Sequence, residues 1–297
     1  YGHLNGPDIL ASDSQVLSKF ILKFLHPPKR GEAYNLTNPD WQVDPSMGQS
    51  AVIRRLFKNR QTPGFFVECG ALDGETRSNT LYLERVLSWK GLLVEADPIN
   101  YEKLSHKYRQ AFITPTCLST KPYPTMVSFQ QQDNQGKIAE VGVGYMQTGY
   151  VDVQCFPFET MMIAMNTTVI DYFSLDVEGA ELDILRTIPF DRFDIKTLSV
   201  EFIHDAEGKV AIKDFMTGQG YLVHSEVTHP NWLANDFIFV KKTFFDTFTK
   251  SEKDSIRKDI ESQSTNFGGS IVVLIDSNNN PLAPNEPLSA DFFNDPV

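Results

Sequence analysis

Cysteine is scarce. Cys69, Cys117 and Cys155 are the only three in 297 residues, with no CxxC among them, which excludes a disulfide scaffold and a zinc finger. Three thiols close at most one bridge, and a buried free thiol is the plainest expectation for each. Long apolar runs are also missing. The longest clean one, residues 271–275, is strand-sized, far short of the roughly 18 to 20 residues a bilayer span needs. Basic residues are in deficit, 27 against 38 acidic, and the net charge of −11 excludes a broad phosphate-tracking face, so no nucleic-acid partner is expected. No internal repeat is visible. The chain begins at Tyr1 without the basic and apolar regions of a leader, so a leader or membrane anchor is expected only upstream of it.

What is present, 41% apolar and 22% charged residues, is the composition of a globular protein. Two sequons, Asn35-Leu36-Thr37 and Asn166-Thr167-Thr168, are about as many as chance supplies and do not by themselves indicate secretion. Apolar spacing predicts helices over 14–25 and 49–58, an N-terminal helical extension covering 1–63. From Phe65 short apolar runs alternate with helices: strands at 65–67, 92–94 and 112–113, helices at 80–87 and 98–108. That pattern argues for a right-handed parallel α/β unit. Over about 125–154 the helical period gives way to β-type segments around the glycine-rich Val141-Gly142-Val143-Gly144-Tyr145, an expected hairpin or lid inserted beside the sheet. Alternation then resumes with helices at 159–165, 180–187 and 210–217, strands at 172–175 and 198–202, and a closing pair at 221–224 and 237–240. This bounds the main domain at 64–242. A charged helix over 244–261, one strand and a peripheral tail fill 243–297.

Three strand ends carry the chemistry. In Phe65-Phe66-Val67-Glu68-Cys69-Gly70-Ala71-Leu72-Asp73-Gly74-Glu75 an apolar strand runs into acids and glycines before a helix. The glycines let backbone approach a ligand, but Glu68, Asp73 and Glu75 would repel dinucleotide phosphates. A cationic nucleoside, S-adenosylmethionine, fits better. The second strand delivers Glu95, with Asp97 behind it, where a carboxylate can hold both ribose hydroxyls. The third, Tyr172-Phe173-Ser174-Leu175-Asp176-Val177-Glu178, brings Asp176 and Glu178 to the same edge. Alternation along a strand would keep these two from sharing a face unless the turn reorients Glu178, so Asp176 is the expected inward residue.

Together Phe66-Val67-Glu68-Cys69-Gly70-Ala71-Leu72-Asp73-Gly74, Val94-Glu95-Ala96-Asp97-Pro98, Leu175-Asp176-Val177-Glu178-Gly179-Ala180-Glu181-Leu182 and Asn235-Asp236-Phe237-Ile238-Phe239-Val240 resemble the FkbM-type methyltransferase family over about 64–241. The resemblance implies a Rossmann-like class I methyltransferase sandwich, α/β, with a mostly parallel seven-stranded sheet and antiparallel final strands. It implies that Glu68, Gly70 and Asp73 surround the methionine end of the cofactor, that Ser78 and Asn79 form the helix entry, that Glu95 is the ribose acid, and that Asp176 and Glu178 form the active edge. Asp44-Pro45-Ser46-Met47-Gly48-Gln49-Ser50, Glu75-Thr76-Arg77-Ser78-Asn79-Thr80 and Pro115-Thr116-Cys117-Leu118-Ser119 further resemble the metazoan Star-like branch. That branch implies a secretory-lumen or extracellular setting, usable sequons, and membrane attachment through a segment absent from this chain.

Methyl transfer to oxygen needs a proton acceptor, for which Asp176, Glu178, Glu201 and His204 are the candidates. Oxygen and imidazole ligands from two neighbouring strand ends could also hold Mg²⁺ or Mn²⁺, but no spacing is diagnostic and no metal is assigned. His224 and His229 flank the closing strand and belong to a roof or a surface loop, and Trp41 and Trp89 are expected to pack. Two functions stay open: an O-methyltransferase acting on a sugar or small hydroxylated molecule, and a non-catalytic lumenal or secreted binding, carrier or trafficking protein with a glycan or a protein cargo as partner.

Overall fold

Apolar residues on both faces of a strand require cover on both faces, and the central strands meet that condition. Along β1 (Phe65–Cys69), Phe66 enters one core while Val67 and Cys69 enter the other. In β2 (Lys90–Val94), Leu93 faces the first core and Leu92 and Val94 the second. The computed structural model describes residues 4–59, 62–130, 137–139, 150–262, 269–276 and 280–282. The first core is roofed by α2 (Gln49–Leu56), α3 (Leu81–Leu87) and, later in the chain, α8 (Lys242–Phe245) and α9 (Lys250–Ser262). The second is roofed by α1 (Ser14–Lys23), α5 (Phe158–Ala164), α6 (Glu181–Leu185) and α7 (Gly208–Gly218). The two N-terminal helices thus seat on opposite faces of the sheet.

The remaining elements are α4 (Pro98–Ser105), β3 (Phe112–Thr114), β4 (Cys117–Leu118), β5 (Thr125–Gln130), β6 (Lys137–Ala139), β7 (Tyr150–Phe156), β8 (Val169–Leu175), β9 (Asp194–Glu201), β10 (Tyr221–Thr228), β11 (Asn235–Lys241) and β12 (Ile271–Leu274). The main sheet runs β12-β10-β11-β9-β8-β1-β2-β3, with the five strands from β9 to β3 parallel and the other three antiparallel. This is a Rossmann-like α/β sandwich. The seven expected strands are present, and β12, from the C-terminal segment, pairs with β10 as an eighth.

The inserted segment, joined by β4 from before it, forms a second, four-stranded sheet, β4-β7-β5-β6. The glycine-rich stretch 141–145 and the tail from 283 lie outside the described residues. Cys117 of β4 and Cys155 of β7 are register partners and form a disulfide, so of the three expected free thiols only Cys69 is one. The spacing of 38 residues concealed the pair because pairing depends on strand register.

The helix expected over 244–261 is broken between α8 and α9. Thr249 starts the second helix in a capping box: Glu252 Oε2 accepts from Thr249 N at 2.7 Å, and Glu252 N donates to Thr249 Oγ1 at 3.2 Å. Trp89 packs edge-on against Phe57, while Trp41 is exposed, against the packing expected for it.

Candidate functional site

Strand order reverses between β1 and β8, and in an open parallel sheet the crevice at that reversal, beyond the strands' C-terminal ends, is where a ligand fits. The cavity there holds about 1050 Å³ of atom-free space, counting the part open to solvent. Its floor is Gly70. A Cβ at that position would lie 1.9 Å from the carbonyl oxygen of Asp176, and Gly70 has φ +84°, so close approach of the two strand ends demands glycine. Gly70 N and Ala71 N both donate to Val94 O at 3.1 Å, tying the β1 loop to the end of β2.

Glu95 lines the cavity at the end of β2, buried, with Oε2 accepting from Leu72 N at 2.7 Å and Oε1 from Asp97 N at 2.8 Å. Ala96 N is also directed at this carboxyl, which keeps acceptor capacity for a hydroxyl. Burial pushes its pKa up to about 8. Asp97 is placed differently from expectation. It caps α4, Oδ1 accepting from Ile99 N at 2.7 Å, and does not line the cavity.

Asp73 also departs from its expected place. Its carboxylate closes a local turn, accepting from Glu75 N at 2.9 Å, Thr76 N at 2.7 Å and Thr76 Oγ1 at 2.9 Å, and it too stands off the cavity. Glu68 reaches the cavity wall, but its oxygens are taken by Ser78 Oγ at 2.9 Å, Asn79 N at 2.6 Å and Thr80 Oγ1. It holds the entry to α3 rather than presenting a free carboxylate. Asn79 continues the network, donating from Nδ2 to Ser174 Oγ at 3.0 Å and accepting from Ser46 Oγ at 3.0 Å.

Asp176 and Glu178 both line the cavity. The alternation that should have separated them ends at Leu175, and Glu178 adopts φ 59°, which turns its side chain back toward the site. No hydrogen bond to the Asp176 carboxylate occurs among the described residues. Desolvation raises its pKa, with Arg77 and His204 opposing. Glu201, at the end of β9, and His204 lie behind Glu178: His204 Nδ1 is 2.9 Å from Glu178 Oε2 and 3.1 Å from Glu201 Oε2. Neither of the two lines the cavity. Burial first, then the charges of Asp176, Glu178, Glu181 and Asp236, push Glu201 up to about 11.

Ligand atoms of Glu178, Glu201 and His204 lie within 4.8 Å of one another, as do those of Asp176, Glu181 and Glu201. Such donors suit a hard divalent ion. Glu181 is already committed to the turn, accepting from Val177 N at 2.8 Å and Gly179 N at 3.0 Å. His224 lies elsewhere, buried beside Phe245 on the far side of β10, where desolvation lowers its pKa to about 4.

Sequence reasoning missed several wall residues. Met47 and Gln49 come from the N-terminal segment, Gln49 donating from Nε2 to Asp236 Oδ2 at 2.8 Å. Phe129 comes from the second sheet, Thr116 and Leu118 from around β4, and Arg77 from the β1–α3 loop. The strings at residues 44–50, 75–80 and 115–119 contain five of these six, but strand-end reasoning assigns them no role, because only chain packing brings them to the cavity.

Comparison with known proteins gives one clear result. The family model of the methyltransferase FkbM domain matches residues 68–223, just over half of the chain. No curated protein matches it. Among solved structures, the METTL16 MTase domain aligns at 10% identity and TM-score 0.39 over 65% of this chain and 66% of that one, just under two thirds of its length. The N-terminal domain of human METTL16 in complex with SAH aligns at 10% identity and TM-score 0.37, over 65% and 67%. Precorrin-6y C5,15-methyltransferase from Geobacter metallireducens aligns at 8% identity and TM-score 0.34, over 64% and 85%. The match over 68–223 begins at Glu68 and takes in Gly70, Glu95, Asp176 and Glu178, and by it the chain belongs to the methyltransferase FkbM domain family.

Proposed function

We propose that this protein transfers a methyl group from S-adenosylmethionine to a hydroxyl of a sugar or small hydroxylated molecule. The observation that carries the reading is one cavity walled by Glu95 at the end of β2 and by Asp176 and Glu178 at the end of β8, with Gly70 between them. The donor fits that wall chemically: Glu95 keeps acceptor capacity for a ribose hydroxyl, and the acidic side chains around it favour a cation. When bound, the cofactor supplies an electrophilic methyl group, its sulfur keeping the electron pair of the broken bond. The chain's part is to orient the acceptor and take its proton. Asp176, on the wall with no hydrogen bond to its carboxylate among the described residues and a pKa raised by burial, is the proton acceptor, gaining O–H as the acceptor oxygen gains its methyl group. His204 and Glu201 hold Glu178 beside it.

Titration calorimetry with S-adenosylhomocysteine tests the reading. The parent chain binds, and Glu95→Gln weakens binding by about tenfold or more, the worth of hydrogen bonds lost in a buried site. Absence of binding to the parent would refute it.

A second reading, a non-catalytic lumenal or extracellular binding or trafficking protein of the Star-like kind, is favoured by the Cys117–Cys155 disulfide, since such bonds persist mainly in oxidising compartments. Exposure of the sequon residues Asn35 and Asn166 is compatible with glycosylation there. Calorimetry separates the two readings, because the carrier requires no affinity for the methyl donor.

A further inference from the structure

We infer that Arg77 binds the carboxylate at the amino-acid end of the cofactor, an inference that rests on the cavity taking S-adenosylmethionine. Four carboxylates line the cavity, Glu68, Glu95, Asp176 and Glu178, against one cation among the described residues, Arg77. The cofactor's amino-acid end carries an ammonium, which these acids suit, and a carboxylate, which they repel. An anion entering this wall finds a single charged partner.

Arg77 is built for that task by its neighbours. On one side the Asp73 carboxylate fixes the backbone of Glu75 and Thr76. On the other, Glu68 fixes Ser78 and Asn79. Between these two anchored segments Arg77 takes φ 56°, a left-handed conformation that costs a non-glycine residue energy and persists because both flanks impose it. Arg77 is half-buried, makes no hydrogen bond with the described residues, and its charge acts on Asp176 across the cavity wall. It therefore reaches the cavity with its donor fork uncommitted, the geometry that favours a bidentate carboxylate.

The test compares two ligands by calorimetry: S-adenosylhomocysteine, which has the amino-acid end, and 5′-methylthioadenosine, which shares the adenosine and thioether but lacks it. Arg77→Gln weakens the first by about tenfold or more and changes the second by less than about twofold, while Arg77→Lys recovers part of the loss. Glu95→Gln weakens both. On the parent protein alone, the methyl ester of S-adenosylhomocysteine binds about tenfold more weakly than the free acid. That comparison decides the matter even if the variants fold poorly. Equal losses for both ligands in Arg77→Gln, no loss for either, or an ester that binds the parent as well as the acid would overturn the assignment. If the parent bound neither adenosine ligand, the cofactor reading itself would fail, a different outcome from an unchanged Arg77 variant.

Discussion

Arg109 is buried and multiply bonded. Its Nε is 3.1 Å from Glu84 Oε1, Nη1 donates to Gly74 O and, at 3.2 Å, to Ser78 Oγ, and Nη2 donates to Thr80 Oγ1 at 3.1 Å. One cation thereby supports the loop whose other anchor is Glu68. Arg109→Met keeps the volume but leaves Glu68 and Glu84 buried without a counter-charge, and a cost of about 3–5 kcal/mol is expected in urea unfolding. A loss below about 1 kcal/mol would mean that the hydrogen bonds to Ser78, Asn79 and Thr80 suffice for Glu68. None of this was legible in advance. Arg109 is an isolated residue on a loop after α4, and the sequence gives no sign of the two acids it meets.

Among elements, the second sheet depends most on tertiary context. Phe129 of β5 reaches the cavity, and β5 pairs with β7, which the Cys117–Cys155 bridge ties to β4 at the cavity wall. Closing a loop of 38 residues stabilises a fold by about 4 kcal/mol when the effect is entirely on the unfolded chain. The double variant Cys117→Ser/Cys155→Ser should therefore lose up to about that amount and melt at lower temperature. Reductant should reproduce the drop in the parent and have no effect on the double variant. Two of this sheet's four strands, β5 and β7, fall on the β-type segments of the sequence, but β4, β6 and the assembly into a separate sheet were not readable, because register is set by which surfaces meet. The C-terminal helix pair is the converse case. Thr249-Lys250-Ser251-Glu252 is a capping signal present in the sequence, masked by the apolar spacing that runs through Phe244, Phe245 and Phe248.

Across the whole molecule, burial has moved several groups in one direction. Glu95 and Glu181 are pushed up to about 8 and Asp236 to about 7, all by desolvation first. Each keeps its proton when folded over a range where the unfolded carboxyl has released it. The stability each contributes is full below its ordinary pKa and is lost as pH rises through 7 to 8. His224 acts oppositely: lowered to about 4, it stays neutral in the folded chain while the unfolded imidazole charges below 6.5, so stability falls as pH drops from 6.5 to 4. The melting temperature should rise as pH is lowered from 9 to about 6.5 and rise less steeply below that, because charging of the unfolded His224 then offsets one of the three carboxyls. Scanning fluorimetry across this range checks it, and Asp236→Asn should reduce the slope between pH 6 and 8. A melting temperature constant from pH 9 to 6.5 would contradict the burial of these carboxyls.

The alternating apolar runs determined the sandwich, because a strand buried on both faces must be apolar throughout and a covering helix must repeat every three to four residues. They also determined that acids and glycines stand at the ends of β1, β2 and β8, the raw material of the site. Which of those acids meet a ligand was decided only in three dimensions. Glu95 and Asp176 line the cavity, Glu68 is occupied by the α3 entry, and Asp73 and Asp97 are spent on a turn and a cap. A carboxylate's role depends on which donors surround it, and donors such as Ser78, Leu72 N and Ile99 N are placed by packing and backbone conformation, which residue identity alone does not encode.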